Sequence, residues 1–138
     1  MANGEDKKVK KILMVEDESA LKEWFEVTFK SIGRQIVWAS SIDEAKKFLS
    51  DPHEEWELVV SDFNFQDSEN GLDVWAMAKK QHPRTPFLLI SGVPDQLFQD
   101  LLDSGVQCPP FLLKPFTAHE FRLILRDLLA LRSEKQAA

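Results

Sequence analysis

The sequence predicts an α/β domain built as a doubly wound, five-stranded parallel sheet of the (βα)5 kind, with helices on both faces. Two observations carry that prediction. Five short apolar runs alternate with five amphipathic stretches at helical spacing, as in a chain of β-α units. The 138 residues also suffice for one domain with a real core, and no composition shift or linker suggests a second one.

Each element has its own local signal. Ile12-Leu13-Met14-Val15 is a continuous apolar run ending in Glu16-Asp17, as a strand buried on both faces does. Leu21, Trp24, Phe25, Thr28, Phe29 and Ile32 recur at helical spacing, and Gly33 follows as a stop. Gln35 to Ala39 is a second strand. Ser41 and Glu44 have capping-box spacing before a helix that carries Ala45, Phe48 and Leu49. The DPHEE segment then breaks the chain. Leu58-Val59-Val60 forms a third strand ending at Asp62, and a polar loop from Phe63 to Asn70 is closed by Gly71. Leu72, Val74, Trp75, Met77 and Ala78 make a helix that stops at His82-Pro83. Phe87 to Ile90 is a fourth buried strand ending in Ser91-Gly92. Pro94 suits the first turn of a short helix with Leu97, Phe98, Leu101 and Leu102, stopped near Gly105. Phe111-Leu112-Leu113 is a fifth strand ending at Lys114-Pro115. Thr117 and Glu120 cap a final helix with Phe121, Ile124, Leu125, Leu128 and Leu129. The expected division is a polar tail over 1–10, the domain over 11–131, and a frayed tail over 132–138.

Composition narrows the function classes. No apolar run is long enough to cross a bilayer, and the start MANGEDKKVKK lacks the apolar stretch of a signal peptide. Cys108 is a lone cysteine with no intrachain partner, which suits a reducing, cytoplasmic setting. A net charge of −6 and a single basic cluster (Lys7, Lys8, Lys10, Lys11) at the N-terminus argue against nucleic acid as a partner, and nothing points to a membrane.

In an open parallel sheet, the carboxyl ends of the strands meet in one crevice where strand order reverses. The strand ends here are Glu16-Asp17, Asp62, Ser91 and Lys114. Three clustered carboxylates repel one another unless a cation sits among them, and an all-oxygen set beside a phosphate suits Mg²⁺. The cluster therefore predicts a phosphoryl-transfer site. Asp62 is the expected nucleophile, giving an aspartyl-phosphate. Glu16, Asp17, Asp62 and the backbone carbonyl of Asn64 would hold the metal, while Lys114 and Ser91 would bind phosphoryl oxygens.

The pieces ILMVEDE, LVVSDFNF, LLISG and FLLKPF, in that order and each at a strand end, resemble response-regulator receiver domains over about Lys11 to Leu131. The resemblance implies a flavodoxin-like fold with strand order 2-1-3-4-5. It maps the family's metal-binding acidic pair to Glu16 and Asp17, its phosphoacceptor to Asp62, its hydroxyl switch to Ser91 and its lysine to Lys114. It places an aromatic switch position at Phe111 and implies a cis peptide between Lys114 and Pro115. Three departures stand out. Glu16 stands where many members have Asp, Phe111 has no hydroxyl, and the loop FNFQDSEN lacks the Leu-Pro or Met-Pro often found there. A switch at Phe111 would act through packing alone.

The resemblance implies two-component signal transduction, or a phosphorelay. A sensor histidine kinase or histidine phosphotransfer protein would phosphorylate Asp62, with Mg²⁺ as cofactor. The phosphoprotein would then recruit a downstream effector through the face made by the fourth helix, fifth strand and fifth helix. No DNA-binding or catalytic domain follows in this sequence, so the expected output is recruitment of a separate protein. On this reading the chain is no enzyme beyond its own phosphoryl transfer and dephosphorylation.

Taken singly, each residue has a plainer reading. Asp62 could be a solvated strand end, Glu16-Asp17 a helix cap, Ser91 a turn residue and Lys114 a surface charge. The tryptophans Trp24, Trp38, Trp56 and Trp75 read as packing residues, and His53, His82 and His119 show no ligand spacing. Phe98, Phe111 and Phe116 could instead belong to a partner surface. Two other functions remain open. A haloacid-dehalogenase-type phosphatase would need an acid where Asn64 stands, and a phosphorylation-independent scaffold would not need the full set of polar residues.

Overall fold

The five apolar runs pair side by side in the computed structural model, which describes residues 11–65, 68–92, 99, 103, 105 and 107–137, the last seven by backbone only. They are β1 (Lys11–Val15), β2 (Gln35–Ala39), β3 (Leu58–Asp62), β4 (Phe87–Ser91) and β5 (Phe111–Leu113). All pairs are parallel, in the order β2-β1-β3-β4-β5. The expected fold and strand order are both found. The tail over 1–10, with its Lys7, Lys8 and Lys10, and the helix expected from Pro94 through Leu97, Phe98, Leu101 and Leu102 lie outside the described residues.

The two-residue period of the strands explains the two cores. Leu13, Val15, Val59, Phe63 and Leu89 face α2 (Ile42–Leu49) and α3 (Gly71–Gln81), meeting Ala45, Leu49, Val74 and Ala78. Their neighbours Ile12, Met14, Val60, Leu88 and Ile90 face the other way. There they meet Phe25 and Phe29 of α1 (Lys22–Lys30) and Phe121, Leu125 and Leu128 of the C-terminal helix (Ala118–Ala137). Strands β3 and β4 are buried along their whole length, which is why they read as continuous apolar runs.

The helix signals are realised with small differences. A short 3₁₀ turn, Ser19–Leu21, precedes α1, and the chain leaves that helix through Gly33 at φ 74°, a conformation glycine takes without steric cost. The Ser41 hydroxyl accepts from Glu44 N–H at 3.1 Å, and the Glu44 carboxylate accepts from Ser40 N–H rather than from Ser41. Thr117 and Glu120 form the full reciprocal box, at 3.0 and 2.8 Å. Gly71 opens α3 instead of closing the loop before it, because Asn70 and Asp73 form a second box there. The C-terminal helix runs on past Leu131 to Ala137, where a frayed tail was expected. Among the tryptophans, Trp56 is fully packed, Trp38 and Trp75 are half-buried, and Trp24 is 37% exposed. Trp24 meets the packing expectation in part, with its ring centre 5.0, 6.0 and 5.6 Å from those of Phe25, Phe116 and Phe121 and the rest of its surface in solvent.

Candidate functional site

Strand order reverses between β1 and β3, so the loops leaving these two strands diverge and open a crevice at their carboxyl ends. The register places the groups around it. Val15 pairs with Ser61, Asp62 with Ile90, and Ser91 with Leu113, so Glu16, Asp62, Ser91 and Lys114 end neighbouring strands at similar height. Two backbone bonds tie these ends together: Phe63 N–H donates to the Ile90 carbonyl at 2.7 Å, and Lys114 N–H to the Ser91 carbonyl at 2.7 Å.

One carboxylate oxygen each from Glu16, Asp17 and Asp62 lies within 4.8 Å of the others. Asp17 is exposed, whereas Glu16 and Asp62 are buried. The Lys114 ammonium stands 3.4 Å from Asp62 Oδ1 and 3.9 Å from Glu16 Oε1, close enough to both for charge attraction. It does not hydrogen-bond Glu16, whose Oε1 is buried with no partner, while Oε2 accepts from Glu18 N–H at 3.2 Å. Burial foremost, and then the Asp62 charge, push the Glu16 carboxyl up to about 7; the Glu18 amide and Lys114 oppose the rise. Burial likewise raises Asp62, and Lys114 counters it. A buried carboxylate oxygen without a hydrogen-bond donor, facing two more carboxylates, is what a hard oxygen-seeking cation would satisfy. These residues fit a divalent metal of the Mg²⁺ kind.

Ser91 is buried at the end of β4, where its hydroxyl makes a long 3.4 Å contact with the Gly92 carbonyl. Asn64 is exposed at the start of the loop after β3. The Lys114–Pro115 peptide is cis, as expected. Phe111 lies on the edge strand with 36% of its surface exposed, on the same side as Leu113. Phe116 stacks on Phe121 at 5.5 Å between ring centres, and Phe98 lies outside the described residues.

The chain matches a family model described as the response regulator receiver domain over residues 12–126. The chain belongs to that family. It is 29% identical over 125 residues to the response regulator protein PilR of Pseudomonas aeruginosa, and 30% identical over 122 residues to FleR of the same species. These matches cover 89% and 87% of the chain but only 27% and 24% of the relatives, so the chain spans about a quarter of their length. A solved receiver protein from Sinorhizobium medicae superposes with a TM-score of 0.78 at 28% identity, covering 91% of this chain and 98% of that one. A Vibrio cholerae chemotaxis protein, CheY4, superposes with a TM-score of 0.70 at 20% identity, covering 88% and 99%, and shows the same fold. The chain is thus a signalling domain of the two-component type. Among the described residues, no helix is long and apolar enough to cross a membrane.

Several features of this receiver had gone unread in the sequence. Lys46 of α2 pairs with Glu69 and ties the loop after Asp62 to its neighbour helix. Burial also hides a polar contact in His82, whose Nε2 lies 3.1 Å from the Leu49 carbonyl. Such partners stand far apart along the chain, and no spacing rule marks them. Gly71 did carry a signal, but a glycine after a polar loop reads first as a turn.

Proposed function

We propose that Asp62 of this receiver accepts a phosphoryl group, with Mg²⁺ held by Glu16, Asp17, Asp62 and the Asn64 carbonyl. The observation that carries the reading is the meeting of Asp62 with the Lys114 ammonium at 3.4 Å, beside two carboxylates of which one has an unpartnered buried oxygen. A phosphohistidine of a sensor kinase or phosphotransfer protein is the donor. An Asp62 carboxylate oxygen attacks phosphorus, the P–N bond breaks, and its electron pair stays on the imidazole nitrogen, which takes up a proton. When bound, Mg²⁺ supplies positive charge to the crowded carboxylate and phosphoryl oxygens. Lys114 neutralises part of the same charge, and the Ser91 hydroxyl donates to a phosphoryl oxygen.

The readout is a change at the protein-binding face around β5, with Ser91 and Phe111 as the parts that move and the unit over 11–131 as the switch. Lys114 joins β5 to the crevice through its backbone bond to Ser91, so a pull on its ammonium is felt along the strand carrying Phe111 and Leu113. The working site is cytoplasmic, where a kinase can reach it.

Intact mass after incubation with Mg²⁺ and acetyl phosphate tests the chemistry. Wild type gains one phosphoryl group, and neither Asp62→Asn nor wild type in EDTA does. A folded, metal-supplied wild type that gains nothing would return the chain to a phosphorylation-independent scaffold.

A further inference from the structure

Gly71 is buried at the first position of α3, directly against the end of β3. A Cβ at this residue would stand 2.3 Å from the Asp62 carbonyl oxygen, 2.8 Å from Leu89 Cδ1 and 3.0 Å from Phe63 Cα. The first contact is about 1 Å short of ordinary van der Waals separation, and it is made to backbone, which cannot swing aside as a side chain does. The same carbonyl oxygen accepts a hydrogen bond from the buried Ser61 hydroxyl at 2.8 Å. The next residue, Phe63, is held at both of its backbone groups. Phe63 N–H donates to Ile90, and the Phe63 carbonyl accepts from Gly71 N–H at 2.9 Å.

We propose that Gly71 and Ser61 are positioning residues that together hold the Asp62 peptide, and so aim its carboxylate, for phosphoryl transfer. The inference rests on the reading of Asp62 as acceptor and adds two residues that touch neither donor nor metal. Gly71 lets the start of α3 lie against the Asp62 carbonyl, and Ser61 gives that oxygen its donor. In-line attack depends on placement, and a displacement of about 1 Å can cost about a hundredfold in rate. Asp62 has a short side chain, so a shift of its backbone passes almost undiminished to the reacting oxygen.

The test is the time course of phosphorylation by acetyl phosphate at saturating Mg²⁺, read by intact mass, for wild type, Gly71→Ala, Ser61→Ala and Ala78→Gly. Ala78 lies in the buried face of the same helix, two turns on from Gly71, and its replacement by glycine loosens α3 without touching Asp62. Gly71→Ala should fall at least about tenfold in maximum rate, and Ser61→Ala about three- to tenfold. The phosphodonor concentration for half-maximal rate should stay unchanged, and Ala78→Gly should keep the wild-type rate. A folded Gly71→Ala at wild-type rate overturns the proposal, as does an equal loss in Ala78→Gly. If Gly71→Ala does not fold, Ser61→Ala decides alone, and a wild-type rate there overturns it. No phosphorylation in wild type overturns the acceptor reading beneath it instead.

Discussion

At the scale of single residues, the site is a contest over charge at the mouth of β1 and β3. Glu16 is the least comfortable group in it, buried with one oxygen unpartnered and its carboxyl pushed up to about 7. A folded-state value above the unfolded one means that the folded protein keeps a proton the unfolded chain has released. Without metal, the Glu16 contribution to stability is therefore fully present below about pH 4.5 and is lost as pH rises to about 7. Metal must displace that proton, so the affinity for Mg²⁺ should rise about tenfold between about pH 6 and 8, measured by titration calorimetry. Glu16→Gln should abolish most of the rise. Lys114→Ala removes the cation nearest Asp62 and should slow phosphorylation at least about a hundredfold. The same variant should leave the mass gain on Asp62 detectable at long times.

The scale of elements shows why much of the site was legible. Strand ends deliver residues to the crevice, and a buried parallel strand announces its end by the first charged or hydroxyl residue after an apolar run. Glu16, Asp62, Ser91 and Lys114 all stand at such ends, so their meeting follows from topology. Contacts set by loops and helix starts were not legible in this way. The box at Asn70 and Asp73, the Lys46–Glu69 pair and the approach of Gly71 to Asp62 depend on where α3 begins, which a polar loop does not announce. The box has a measurable worth. Asn70→Ala removes the acceptor for Leu72 N–H and should cost about 1 kcal/mol in a urea melt. Loss of that cap at the end nearest Asp62 should also slow phosphorylation, which Thr117→Ala, at the start of the C-terminal helix, should not do.

Across the whole molecule, the sheet separates two cores that serve different ends. The face under α2 and α3 includes Phe63 and Leu89, which lie beside the acceptor and bear on its geometry. On the opposite face, the aromatic cluster of Phe25, Phe29, Phe121, Phe116 and Trp24 joins α1 to the C-terminal helix. Phe121 is fully buried at its centre, and Phe121→Ala should cost about 3–5 kcal/mol by chemical denaturation. Trp24 sits at the rim of this cluster against Phe116, two residues past Lys114, so its fluorescence should report on the state of the crevice. The fold class and strand order were legible from periodicity and family likeness, whereas the exposure of Trp24 was not. An aromatic at helical spacing looks the same in sequence whether it fills the core or its edge.

Phosphorylation at Asp62 has a direct chemical test. Borohydride reduction of the phosphorylated protein converts an aspartyl-phosphate to homoserine, and peptide mass spectrometry then locates it. Homoserine is expected at position 62 and at no other aspartate. Its appearance at Asp17, or its absence from a protein whose intact mass has risen by one phosphoryl group, would rule out Asp62 as the acceptor.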